Sequence, residues 1–234
     1  MFNIDSRHTV IDLETYATTP DAAVFAVAAV TFTYSDLINS EYSKDNPTLL
    51  IPETTAQNYW LIDPNDVQGA RDKSTTDWWG EQSDYLKELL FNGFDLKTGE
   101  KKNSVYFEAM WPELLSQITG DQADLSNVYL WGNGAAFDNA ILRYQLHYRN
   151  LRRSEGSLPL EYPVHYRNDR CLRTFLDTGR GIVDVPGVYF DKSLADYVAE
   201  NNLVKHHPLH DCLMEYYMLL NMFKAIDETL EGVY

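Results

Sequence analysis

The sequence predicts an α/β fold, a sheet with helices packed against it, and three segments carry that expectation. Residues 8–13 (HTVIDL) and 22–34 (AAVFAVAAVTFTY) are rich in Val, Ile, Phe and Thr and are separated by the turn-prone ATTPD, so they read as a β-hairpin. The first strand is nearly continuous in apolar character, the pattern of a strand covered on both faces. Residues 128–134 (VYLWGNG) are a short apolar run ending in a Gly-Asn-Gly turn, and the helical pattern AAFDNAILRYQLHYRNL follows directly. Strand, tight turn and helix is the unit from which α/β folds are built. The closing segment, from about Pro208 through Ile226, places Leu209, Cys212, Leu213, Tyr216, Leu219, Leu220 and Phe223 on one helical face.

The remaining elements follow in order. A third strand is expected within Asn46 to Ile51 or Asn58 to Ile62, where prolines at 47, 52 and 64 make the stretch irregular. Residues 74–91 (STTDWWGEQSDYLKELLF) open with good N-cap residues and then space Trp78, Trp79, Tyr85, Leu86, Leu89 and Leu90 as a helix does. NGFDLKTGEKKN reads as an exposed loop, and residues 105–118 as another helix, with Pro112 a warning about its start. Residues 148–169 are polar and broken by proline, CLRTFLDTG is a strand or a strand–helix junction, and SLADYVAENN follows the loop containing Pro186.

At 234 residues the chain is read as a single domain, 1–234, with a substantial core. Two cysteines, Cys171 and Cys212, are too few for a disulfide framework and fit a reducing compartment. A charged residue interrupts the N-terminus before any long apolar stretch, and the longest apolar run, Val24 to Val30, is far short of the ~20 residues a bilayer requires. The expectation is a cytoplasmic protein with no membrane partner. The net charge of −16 argues against a polyanionic partner, since duplex binding relies on Lys and Arg replacing counterions. Bound cations or a local basic surface can offset it, and ten of the nineteen basic residues fall between positions 143 and 205.

Three local patterns carry chemistry. Asp12 and Glu14 in VIDLET are spaced i, i+2 on a strand, so both carboxylates emerge on one face while Leu13 turns to the other. Two like charges aimed from a buried strand at one spot call for a counter-charge such as Mg²⁺ or Mn²⁺, although two solvated acids at a strand end would share the spacing. Asp138 falls in the first turn of the helix after WGNG, where the helix dipole alone favours an acid, but also just beyond the carboxyl end of a strand, where open α/β sheets place their sites. In HHPLHDC, His206 and His210 have a spacing that could bind zinc on a helix. Pro208 opposes that by pushing the preceding residues out of helical geometry, which leaves His206 on the incoming loop and Asp211 on the helix. A histidine so held suits a general base.

Together, VIDLET, WGNGAAFDNAILR and HHPLHD resemble the three motifs of the DnaQ-like 3′-5′ exonucleases, in the subgroup whose last motif is His, four residues, Asp. Within that superfamily TTDWWGEQS (75–83) and NDRCLRT (168–174) look like signatures of phage exodeoxyribonucleases related to exonuclease A and exonuclease VIII. The stretches 35–70 and 91–125 carry no such likeness.

The resemblance implies an RNase H-like mixed five-stranded sheet flanked by helices and a site holding two divalent ions, Mg²⁺ or Mn²⁺. Asp12 would bridge the ions, Glu14 would hold one ion and the attacking water, Asp138 and Asp211 would complete the metal shell, and His206 would take the water's proton. The product would be a nucleoside 5′-monophosphate released from a 3′ end, of DNA in the first instance and of RNA as the alternative. A small-phosphoester hydrolase or an inactive binding module are further readings. Thr15 is a candidate for holding the terminal nucleotide. Trp78, Trp79 and Gln82 are weighed as stacking or contact residues, although adjacent helix positions cannot share a face and at least one tryptophan belongs to the core. Arg170 and Arg173 divide between phosphate contact and internal pairing with the acids. A monomer and a homodimer are both compatible with the sequence.

Overall fold

The structure is a computed structural model, and it describes residues 3–39, 55–120, 122, 124–182 and 187–231. Five strands form one sheet in the order β3-β2-β1-β4-β5: β1 (Arg7–Thr15), β2 (Val24–Thr33), β3 (Ala56–Leu61), β4 (Val128–Gly132) and β5 (Asp169–Cys171). β2 pairs antiparallel with both β1 and β3, whereas β4 runs parallel to β1 and to β5. This is the mixed α/β sheet expected of an RNase H-like fold. The expected hairpin is present, with a bulge between Glu14 and Thr15. The third strand falls on the second of its two expected positions, and the alternative at 46–51 lies outside the described residues.

Strand periodicity divides the core. Ile11, Leu13, Val27 and Ala29 face α4 (Phe107–Thr119) and α5 (Asp138–Asn150), while Val10, Ala28, Val30 and Phe32 face α6 (Leu172–Ile182), α7 (Gly187–Glu200) and α8 (Pro208–Glu231). A short helix, α1 (Tyr34–Ile38), follows β2 and opens with a capping box between Thr33 and Asp36. The even-numbered face of β1 therefore carries Asp12 and Glu14 toward α8. No helix among the described residues is long and apolar enough to cross a membrane.

Three expectations need correction. The helix expected over 74–91 is two: α2 (Lys73–Gly80), capped by Asp72, and α3 (Asp84–Asn92), capped by Ser83. Gly80 lowers helix propensity at the break, and the Ser83 hydroxyl accepts the Leu86 N–H to start a new helix. Pro112 does not mark the start of α4, which runs through it from Phe107. Burial of Phe107, Met110, Trp111, Leu114 and Ile118, at ~1.5–3 kcal/mol each, outweighs the ~3 kcal/mol that an internal proline costs. α5 begins at Asp138 rather than Ala135, because residues 133–137 form the turn that brings the helix back beside β4.

His8, also on the α8 face, is fully buried. Its Nδ1 accepts the Trp131 Nε1–H at 3.0 Å, its Nε2 lies 2.8 Å from the Ser6 hydroxyl, and its ring stacks on Phe32 and Tyr129. Burial, and secondarily the Arg170 charge, pushes its pKa down to about 3. Unfolded, the same imidazole takes up a proton below about 6.5. Stability owed to this burial is therefore intact above pH 6.5 and drains away as the pH falls toward 3. We expect His8→Phe to shrink the loss of unfolding free energy between pH 7 and pH 5 by about 2 kcal/mol, measured by urea denaturation of both proteins. An unchanged difference would mean that His8 is charged in the folded state.

Candidate active site

The site lies at the carboxyl ends of β1 and β4, where the chain passes to opposite sides of the sheet, the position at which open α/β sheets form clefts. β4 pairs with β1 only as far as Ile11 opposite Gly132. Beyond that point the β1 edge is open, and the Asp138 carboxylate accepts the freed Leu13 N–H together with that of Gly134. Gly132 makes this approach possible. A Cβ there would lie 2.4 Å from Asn139 Oδ1 and 2.9 Å from Asp138 Cβ, closer than real atoms come. On the other side of β1 the register sets Ala28 across from Asp12 and Ala26 across from Glu14, so the cross-strand neighbours add no bulk beside the acids.

Asp211 enters from the first turn of α8, where the helix dipole favours an anion. One oxygen each from Asp12, Glu14 and Asp211 lie within 4.8 Å of one another. Asp138 is outside that trio but close enough for its charge to raise the pKa of both Asp12 and Glu14. Desolvation is the leading cause in every case: it lifts Asp12 and Glu14 well above the carboxylate range and Asp138 and Asp211 to about 6.

At an effective dielectric near 20, two full charges 4.8 Å apart repel by about 3 kcal/mol, so the cluster must hold protons or cations. Its donor set fits cations. Asp12 Oδ2 and Glu14 Oε1 are buried without a hydrogen-bond partner, and an all-oxygen set suits hard ions such as Mg²⁺ or Mn²⁺.

His206 stands on the loop before α8 with φ of +67°, a left-handed conformation that few side-chain-bearing residues adopt. Its backbone N–H donates to both Asp211 oxygens at 3.1 and 3.2 Å, and its Nδ1 is 3.9 Å from Asp211 Oδ2. Burial, then the Lys205 charge, lowers its pKa, which keeps the ring neutral and able to accept a proton. The zinc pairing of His206 with His210 is not formed. His210 stacks on His207 at 3.8 Å and accepts the Val204 N–H, while His206 turns toward Trp78.

Asp12, Glu14, Asp211 and His206 line a cavity of about 400 Å³ together with Thr15, Thr18, Ser74, Thr75, Trp78, Trp79 and Phe137, while Asp138 lies outside the lining. Trp78, 38% exposed, meets the His206 ring edge-on at 4.8 Å. Trp79 is the core member of the pair and donates Nε1–H to the Thr15 carbonyl at 2.9 Å. The Thr15 hydroxyl donates to the Ala17 carbonyl, so both its hydroxyl and its carbonyl already have internal partners. Gln82 is half-buried and donates back to the Trp78 carbonyl. Arg173 sits beside the acids: its Nε donates to Asn133 Oδ1, and its charge lowers the pKa of Asp138 and Glu215. Arg170 does not line this cavity. It lies over the Tyr129 ring, beside His8 on the same face as Asp12 but farther back along the strands, and donates to the Arg167 and Asp169 carbonyls.

Residues 7–221 match the family described as the 3′-5′ exoribonuclease Rv2179c-like domain. The chain belongs to that family. This Rv2179c-like domain is accordingly a nuclease of a 3′-5′ exonuclease family. A crystal structure of E. coli ExoI with single-stranded DNA, in a zinc ion bound form, is similar at 14% identity and a TM-score of 0.48; the match covers 96% of this chain and 41% of that one. No curated protein matches.

The Rv2179c-like domain also holds a carboxylate that the motifs miss. Glu215, 3% exposed, lies one turn beyond Asp211 on α8, beside Asp138, Asp211 and the Asn133 amide, and its Oε2 has no hydrogen-bond partner. An i, i+4 pair of acids on the inner face of a helix was the readable signal. Burial and the neighbouring acids raise its pKa well above the usual range, which favours its protonated form. We expect Glu215→Gln to keep unfolding free energy at pH 7 within about 1 kcal/mol of the parent, whereas Glu215→Ala loses about 2–4 kcal/mol through its cavity. Equal losses in denaturant melts would show that the carboxyl is ionised.

Proposed function

We propose that this domain removes nucleotides one at a time from the 3′ end of a single strand, with two divalent cations, Mg²⁺ or Mn²⁺, and releases nucleoside 5′-monophosphates. The observation that carries the reading is the convergence of Asp12, Glu14 and Asp211 within 4.8 Å, with Asp138 behind them and His206 at the rim. Asp12, Glu14, Asp138 and Asp211 would hold the cations. When bound, these supply Lewis-acid stabilisation of the attacking and leaving oxygens of an in-line displacement.

The chain's own groups do the rest. His206, neutral and pinned by its backbone bond to Asp211, accepts the proton of the attacking water. Trp78 offers the terminal base a partly exposed ring beside that histidine, and Trp79 fixes the wall through the Thr15 carbonyl.

RNA is the first reading of the polymer, because the family match spans nearly the whole chain and is named for exoribonucleases. Thr18 adds a hydroxyl along the cavity that a 2′-hydroxyl could meet, whereas those of Ser74 and Thr75 donate to Asp72 and could only accept. DNA is the second, favoured by the likeness of TTDWWGEQS and NDRCLRT to phage exodeoxyribonucleases.

The test is incubation of 5′-labelled single-stranded RNA and DNA with each metal. We expect a ladder that shortens from the 3′ end and vanishes with EDTA; internal cuts, or intact strands with both metals, would falsify the proposal. In the same assay Asp12→Ala should abolish turnover, and it should also lose the rise in melting temperature that Mn²⁺ gives the parent, since it removes a ligand. His206→Ala should slow turnover by roughly 10²–10⁴-fold while keeping that thermal shift. Equal damage from His207→Ala would move the base to the wrong side of the loop.

A further inference from the structure

A second cavity, of about 630 Å³, is lined in part by Phe25 and Phe91, the rings that pack on Trp79 of the acidic cavity, and falls within the ~300–1,000 Å³ range of ligand sites. The two cavities share a wall. Thr15 lines the acidic one and Tyr16, the next residue, lines this one. Trp79 faces His206 at 6.4 Å on one side and meets Phe25 at 5.1 Å and Phe91 at 6.3 Å on the other.

Its chemistry is the reverse of its neighbour's. The fifteen lining residues include three cations, Arg71, Lys101 and Lys102, and no aspartate or glutamate, in a chain with 35 acids and 19 bases. Lys102 is occupied elsewhere, over the Tyr59 ring and on Asn58 Oδ1 at 3.0 Å. Arg71 and Lys101 are exposed at the mouth. The Arg71 guanidinium is held 4.3 Å over the Tyr16 ring, where its remaining N–H groups can meet an anion. The Tyr16 and Phe91 rings lie 6.3 Å apart at 13°, and Phe91 is 39% exposed. Flat aromatic faces beside fixed cations, free of acids, are the combination that binds a base and its phosphate in single strands.

We propose that this cavity holds a nucleotide of the bound strand beyond the terminal one, its base against Phe91 and Tyr16 and its phosphate on Arg71 and Lys101. The proposal rests on the exonuclease reading and extends it: the enzyme then selects strands of several nucleotides over dinucleotides and over isolated phosphodiesters. Trp79 divides the terminal position from this one.

The test compares the parent with Arg71→Gln, Lys101→Gln and Phe91→Ala on three readouts. The first is binding of a fluorescent hexanucleotide in EDTA, by anisotropy. The second is KM and kcat for the hexanucleotide and for a dinucleotide with Mn²⁺, and the third is hydrolysis of the p-nitrophenyl ester of thymidine 5′-monophosphate, which needs only the acidic cleft. Arg71→Gln should weaken hexanucleotide binding and raise its KM about tenfold, as loss of a stacked, charged contact does. It should flatten the slope of log affinity against log salt by about 0.7 and leave kcat, the dinucleotide and the ester unchanged. Phe91→Ala should do the same without altering the salt slope.

Variants that bind and trim the hexanucleotide like the parent overturn the proposal and leave the exonuclease reading standing. Arg71-dependent hexanucleotide binding without cleavage of any substrate keeps the cavity and sinks the exonuclease reading. An effect of Arg71→Gln on free adenosine 5′-monophosphate with none on the hexanucleotide assigns the cavity to loose nucleotides and overturns the proposal.

Discussion

The mutual repulsion of carboxylates in a desolvated cleft is the constraint to which the rest of the molecule answers. Asp12, Glu14, Asp138, Asp211 and Glu215 arrive from three elements, and burial raises the pKa of each. Water would disperse them if it could enter freely. The fold prevents that by fixing the backbone: Leu13 and Gly134 bind Asp138, and His206 binds Asp211. Cations held by these carboxylates, as proposed, would offset that repulsion, so a site costly in isolation would be stable when filled.

Rigid elements carry the acids, and a strained loop carries His206, the proposed base. β1, α5 and α8 fix the positions of the carboxylates to within the tolerance of strand and helix packing, and Gly132 lets α5 approach closely enough to matter. His206, by contrast, sits at φ +67° and is held by a single backbone donor and a ring contact. Ion geometry tolerates little displacement, whereas a proton acceptor can follow the water it serves.

The sequence showed what rests on chain-local spacing. Asp12 and Glu14 share a face because strand side chains alternate, and Pro208 separates His206 from Asp211 because its ring excludes a helix before it. What rests on tertiary contact was hidden. Glu215 looks like any acid on a helix until β1 and the Asn133 turn are packed over it. Arg170 could not be placed because the direction in which a long side chain lies along its face depends on its neighbours, and the Tyr129 ring holds it beside His8 rather than beside Asp12. The division of residues 74–91 into two helices came from Ser83, whose capping power competes with an otherwise continuous apolar pattern.

A net charge of −16 opposes a polyanionic partner, yet net charge acts through a screened field. At physiological salt the Debye length is about 8 Å, so a phosphate feels chiefly the charges nearest to it. Here those are of two kinds. In one cavity clustered acids could hold cations, which in the proposed reaction would present positive charge to the scissile phosphate. In the adjoining cavity the acids are simply missing and Arg71 and Lys101 remain. A strand lying across both would meet positive potential at successive phosphates while the acidic remainder of the surface repels polyanions that approach elsewhere. The excess of acids then sharpens where a strand can land rather than opposing that it lands at all.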